Sequence, residues 1–173
     1  DMFPEAAPGS GLNYGFNRSK LAWYTIDPLF YDRNSNLRPK NISKNELSRN
    51  SVRLVRETEV FPNADPPNGQ PMNLSVLNLA FFPEEKGPYN FDVLPTGVSK
   101  GLSENGTLLF PRTRWGGIMR KIESTDFEAS NVEYIEFWMM DPFSENPQHS
   151  GGDLYFNLGD ISEDILRDGR KSY

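Results

Sequence analysis

The sequence predicts a mostly β domain, an antiparallel β-sandwich or jelly roll of galactose-binding-like type with one or two short helices. Three observations point there. Aromatic residues make up 13% of the chain against 36% hydrophobic overall, so the core leans on side chains that fit a pleated, half-buried surface better than a helix. Several short stretches alternate with the two-residue period of a strand. Gly and Pro, 14 of each, cluster between those stretches and punctuate them with turns. Short strands joined by ordered loops favour two β layers over an alternating βαβ fold.

The elements follow in order. Residues 1–19 read as an extended arm with aromatic anchors around Tyr14 and Phe16. Residues 20–26 alternate Leu21, Trp23 and Thr25 against Ala22, Tyr24 and Ile26, a strand buried on both faces. Ser43 with Glu46 three residues on is a capping box that starts a short helix near Leu47. Residues 52–60 set Val52, Leu54, Arg56, Thr58 and Val60 against Arg53, Val55, Glu57 and Glu59, a strand with one wet face. Residues 73–82 form the next strand, stopped by Pro83. Asn105-Gly106 supplies two positive φ angles for a tight hairpin between 98–102 and 107–110. Residues 115–122, 132–140 and 153–158 are expected as the central strands, with Phe137 and Trp138 buried on opposite faces, and 162–167 as a terminal helix capped by Ser162.

The 173 residues fit one domain, 1–173, that removes roughly 70% of its unfolded surface from water, and no second core is expected. A net charge of −6, with 18 basic against 24 acidic side chains, offers no basic block for a run of phosphates and argues against nucleic acid. The apolar runs 79–82 and 137–140 are far shorter than the ~20 residues of a membrane helix. Without cysteine there is no disulfide, thiolate chemistry or Cys-ligated zinc. The start lacks both an initiator Met and a charged, apolar leader, as expected of a processed product or an excised segment.

No catalytic constellation emerges. His149, the sole histidine, neighbours Ser150 and Asp153 in sequence, but a triad converges in space, and no G-x-S-x-G elbow occurs. Glu57 with Glu59 on one strand face, or Glu136 among aromatics, are pairs a glycosidase uses, yet any acidic β protein has them. Asp126, Glu128, Asp141 and Asp153 near loops are candidate ligands for a structural calcium ion; no other cofactor is expected. Trp23, Trp115 and Trp138 are core aromatics or, in the competing reading, a platform for carbohydrate. Asn17, Asn41, Asn73 and Asn105 head N-x-[ST] triplets, in an Asn-rich chain where some arise by chance.

Residues 13–24 (NYGFNRSKLAWY), 59–63 (EVFPN), 115–120 (WGGIMR), 131–143 (NVEYIEFWMMDPF) and 151–166 (GGDLYFNLGDISEDIL) resemble the SprA (Sov) family. That family forms the large outer-membrane translocon of the type 9 secretion system and of gliding motility in Bacteroidetes. The resemblance implies a soluble, non-enzymatic segment of a larger protein in a Gram-negative cell envelope, on the periplasmic side. It implies as partners the remaining translocon domains, accessory outer-membrane subunits and exported cargo, and it carries over no active-site residue. The competing classes are a carbohydrate-binding jelly-roll module and, below it, a glycoside hydrolase.

Overall fold

A computed structural model describes residues 12–32, 34–120, 122–123, 126–144 and 146–158. The terminal helix expected at 162–167 and the start of the arm lie outside them. The chain divides into two compact units, one of Asp1–Ala22, Ala80–Met119 and Gly152–Tyr173, the other of Trp23–Leu79 and Arg120–Gly151. Helix content is low, and the regular sheet is a two-stranded antiparallel ribbon of β1 (Ser19–Tyr24) and β2 (Asn78–Lys86). No helix among the described residues is long and apolar enough to cross a membrane.

In the first unit, residues Leu12–Asn17 make a 3-10 stretch that feeds β1. The register of the ribbon is set where Gly87 N–H donates to Arg18 O at 3.1 Å and Lys20 pairs with Glu85 at 2.6 Å. Gly87 is required there, since a Cβ would fall 2.5 Å from Ser19 O. Pro83, expected to end the strand, instead lies inside β2 and removes one ladder donor. Outside the ribbon, Arg18 forms a parallel bridge with Trp115 on one side, and Leu108 N–H donates to Glu84 O at 2.8 Å on the other. Both contacts occupy backbone groups that a lone ribbon leaves open.

The 102–108 hairpin forms, but not as the two-residue turn that Asn-Gly suggests. Leu102 bridges Leu108, Ser103 N–H donates to Thr107 O at 2.9 Å, and Gly106 N–H donates to Ser103 O at 3.0 Å. The left-handed position falls on Gly106 (φ 85°), as in a three-residue loop with a glycine bulge. Leu108 is the one apolar side chain buried among the described residues; the buried polar ones are Ser19, Asn90, Asp92, Ser99 and Arg114. The centre of this unit is therefore polar.

In the second unit, the capping box holds as expected: helix α1 (Lys44–Leu47) starts with Glu46 N–H on Ser43 Oγ at 3.2 Å and Ser43 N–H on Glu46 Oε2 at 2.7 Å. The strand expected over 52–60 is corrected. Only Arg56 bridges, to Asn73, and Glu57–Val60 is a helical turn, α2. The reason is local: Glu59 in the first turn reaches back to Arg56 N–H at 3.1 Å, and acids favour a helix N-terminus.

The expected central strands are corrected too. Among the described residues of 115–122 only Trp115 bridges, and those of 132–140 and 153–158 belong to no ladder. Alternation states which faces a strand would bury; it does not supply the partner strand that makes a ladder. Phe137 and Trp138, expected in the core, are exposed. A two-stranded ribbon offers no second layer for their faces.

Candidate functional site

The best-defined constellation is a buried polar node in the first unit. Phe91, Asp92 and Val93 follow Asn90, whose Oδ1 accepts from Asp92 N–H at 3.0 Å and so turns the Asp92 carboxylate inward. Thr96 Oγ1 accepts from Val98 and Ser99 N–H at 3.2 and 3.0 Å, which presents the Ser99 hydroxyl to that carboxylate. Arg114 enters after the 3-10 turn Pro111–Thr113. Its Nη1 donates to Ser99 Oγ at 3.0 Å, Phe16 O at 2.9 Å and Asn17 Oδ1 at 3.3 Å. Its Nη2 donates to Gly101 O at 3.1 Å and Leu109 O at 2.8 Å, and Nε to Leu109 O at 2.9 Å. One guanidinium thus spends its five donors on three chain segments. Asp92 Oδ1 is left without a hydrogen bond.

Chemically this node is a clamp. Ser99 gives its proton to Asp92 and its lone pair to Arg114, and all three are buried, so no substrate reaches the hydroxyl. Asn90 Nδ2 donates to Phe16 O at 3.0 Å and Arg18 O at 2.6 Å, and Asn17 Nδ2 donates to Val98 O at 2.7 Å. Residues 16–18 are sutured to the 90–114 loop by side chains. Sequence reasoning missed this node because nothing in the residue types separates a buried Arg-Asp pair from exposed ones. The available signals were the Asn90-x-Asp92 and Thr96-x-x-Ser99 turn spacings.

The predicted site residues lie elsewhere and are not brought together. Trp23 is 64% and Trp138 75% exposed, while Trp115 is half-buried with the Arg18 guanidinium 5.6 Å from its ring centre. Phe61 meets Trp138 edge-on at 6.2 Å. His149 stacks on Phe143 at 4.2 Å, and its Nδ1 accepts Gly151 N–H at 2.9 Å. That assigns the histidine to a loop turn.

Asp126 Oδ1 accepts from Ala129 N–H and Asp141 Oδ1 from Phe143 N–H, both carboxylates closing their own turns, and Asp153 is exposed. Among the described residues no three acidic or histidine side chains gather as a cation site. Glu57 and Glu59 do not share a strand face; on α2 the Glu59 carboxylate binds Arg53 at 2.8 Å, while Glu57 Oε2 is buried without a hydrogen bond. Glu136 is exposed.

A second feature is the exposed run 132–140, where Val132, Tyr134, Ile135, Trp138, Met139 and Met140 all face solvent. It sits in a stretch, residues 122–166, that holds 11 Asp and Glu and none of the 18 Lys and Arg. That segregation was readable in the sequence. The chain matches no protein-family model and no curated protein.

Proposed function

We propose that this chain is a non-enzymatic structural and interaction segment of a large outer-membrane translocon, of the type 9 secretion and gliding-motility kind that its sequence resembles. It works in a Gram-negative envelope, on the periplasmic side. Its partners are the other domains of that protein, accessory outer-membrane subunits and exported cargo. The observation that carries this reading is the run 132–140, which exposes aromatic and aliphatic side chains at odd and even positions alike, that is, on both faces of the strand its sequence predicts. Such a strand is stable when neighbouring strands and a second layer cover it. Supplied by the parent protein, they complete the β-sandwich or jelly roll of galactose-binding-like type that the alternation describes.

A carbohydrate-binding module is the second reading, favoured by the exposure of Tyr134 (78%) and Trp138 (75%). Stacking on sugar calls for an aromatic face with polar neighbours. The exposed Val132, Ile135, Met139 and Met140 serve no sugar but do serve a sheet core. The glycosidase reading loses its strand-face pair, Glu57 and Glu59.

The test is to delete residues 13–166 in frame from the full-length parent, verify that the shortened protein reaches the outer membrane, and measure export of type 9 cargo. Lost export with normal membrane arrival supports the translocon role; normal export removes it. Millimolar or tighter sugar binding by the isolated chain promotes the module instead.

A further inference from the structure

We propose that Asn68–Gly69 is a site of spontaneous covalent modification, converting to aspartate and isoaspartate, while the fold holds the chain's other described Asn-Gly pair, Asn105–Gly106, against the same reaction. This stands independently of the translocon reading.

The chemistry needs only water. The Gly69 amide nitrogen loses its proton to hydroxide and attacks the Asn68 side-chain carbonyl carbon; a C–N bond forms and the Cγ–Nδ2 bond breaks. Nδ2 leaves as ammonia, taking up a proton from water. A second water then opens the five-membered imide at either carbonyl, giving Asp or isoAsp. The net change is one water in and one ammonia out, with no oxidant or reductant. Glycine is the favourable successor because no side chain obstructs its nitrogen.

Both amides meet this chemistry in a turn that must open first, and the two turns differ in what holds them. Asn68 is exposed in a left-handed conformation (φ 61°, ψ 21°) within a proline-rich loop, and its side chain makes no hydrogen bond. Gly69 N–H donates to Pro66 O at 2.9 Å, Gln70 N–H to Pro67 O at 3.4 Å, and open space surrounds Gly69. Releasing the attacking nitrogen costs little more than one exposed hydrogen bond.

At Asn105 the electrophile and the nucleophile are both tied. Asn105 Oδ1 accepts from the Ser103 hydroxyl, from Thr107 Oγ1 at 3.0 Å and from Thr107 N–H at 3.4 Å. Gly106 N–H donates to Ser103 O at 3.0 Å, inside a hairpin closed by Ser103 N–H to Thr107 O at 2.9 Å. That hairpin is fastened by the Leu102–Leu108 bridge and the buried Leu108. Swinging the Asn105 side chain onto Gly106 nitrogen requires the whole hairpin to open, and local opening free energies rise with the bonds broken.

The test is to age the full chain in mildly alkaline buffer made with 18O water and to quantify Asp and isoAsp at both positions by peptide mass spectrometry, native and in guanidinium. The native chain is expected to convert Asn68 about tenfold or more faster than Asn105, the tenfold corresponding to ~1.4 kcal/mol of difference in opening. In guanidinium the two rates should approach parity, and Asn68→Gln should abolish the label at 68 alone. Equal native rates, a faster Asn105, or a native Asn68 as inert as Asn105 would each overturn the proposal.

Discussion

Arg114 and Asp92 bury opposite charges completely, 3.6 Å apart, with the Ser99 hydroxyl bonded to both. A buried pair of this kind is weak evidence for net stability, because removing both charges from water offsets their attraction. Losing one partner is another matter.

Arg114→Met is therefore expected to destabilise the chain by about 3–5 kcal/mol, because it strands the Asp92 carboxylate and orphans the Leu109 carbonyl, while Phe16 O and Gly101 O each keep one other donor, Asn90 Nδ2 and Leu109 N–H. The double variant Asp92→Leu with Arg114→Met should lose less than the two single losses combined. Urea midpoints of the four proteins check this. A loss under ~1 kcal/mol for Arg114→Met would show the node is open to water.

Glycine substitutions read the close approaches. Gly87→Ala drives a methyl to 2.5 Å from Ser19 O, and Gly116→Ala one to 2.9 Å from the Phe81 ring, whereas Gly97 has open space. We expect Gly116→Ala to cost about 1–3 kcal/mol, as overpacking does, and Gly87→Ala at least as much because its obstacle is backbone. Gly97→Ala should fall within about 0.5 kcal/mol of the parent. Thermal midpoints in the order Gly97, Gly116, Gly87 would agree with the contacts.

Leu108→Ala should cost about 2–5 kcal/mol even though it deletes only part of one side chain, since Leu108 is 2% exposed and sits beside the polar node. Denaturant unfolding measures it. An unchanged midpoint would place the apolar centre of this unit elsewhere.

What the sequence made legible was whatever local chemistry decides. The box at Ser43 and Glu46, the position of β1 and the turn near Gly106 follow from the identities of neighbouring residues, and all three form. Residues 52–60 alternated as well as β1 does, yet Glu59 folding back onto Arg56 N–H won over the two-residue period. The run 132–140 is apolar on both faces and read as the most sheet-like stretch, yet it belongs to no ladder, because pairing depends on a partner that a strand's own residues do not name. The Arg114 node was illegible for the opposite reason. It joins residues up to 98 positions apart, and no local pattern marks which arginine will be enclosed.

Acid should loosen α1 and α2 within a defined window. The backbone N–H of Ser43, then its hydroxyl, hold the Glu46 carboxyl below the usual range; the backbone N–H of Arg56, then the Arg53 side chain, do the same for Glu59. A depressed folded pKa contributes stability that is present above the unfolded value, about 4.3 for Glu. That contribution is lost as pH falls through the folded value. Carboxyl NMR titrations should find both residues below that reference, with Ser43→Ala returning Glu46 upward and leaving Glu59 in place. A Glu46 midpoint that Ser43→Ala leaves unmoved would mean the box does not form in solution.

Tryptophan exposure connects the fold to the proposed role. Trp23 and Trp138 are mostly exposed, while Trp115 is half-buried beneath Arg18. A single-tryptophan chain retaining Trp115 should therefore emit at shorter wavelength and resist acrylamide more than one retaining Trp138. If 132–140 is a strand awaiting neighbours, the order must change in the full-length parent. There Trp138 should become as protected as Trp115, because completing the sheet buries the face it shares with Tyr134 and Met140. In a parent protein carrying Trp138 as its only tryptophan, quenching equal to that of the isolated chain would show that the run stays open. The translocon reading would then lose the observation that carries it, and a ligand-facing platform would take its place.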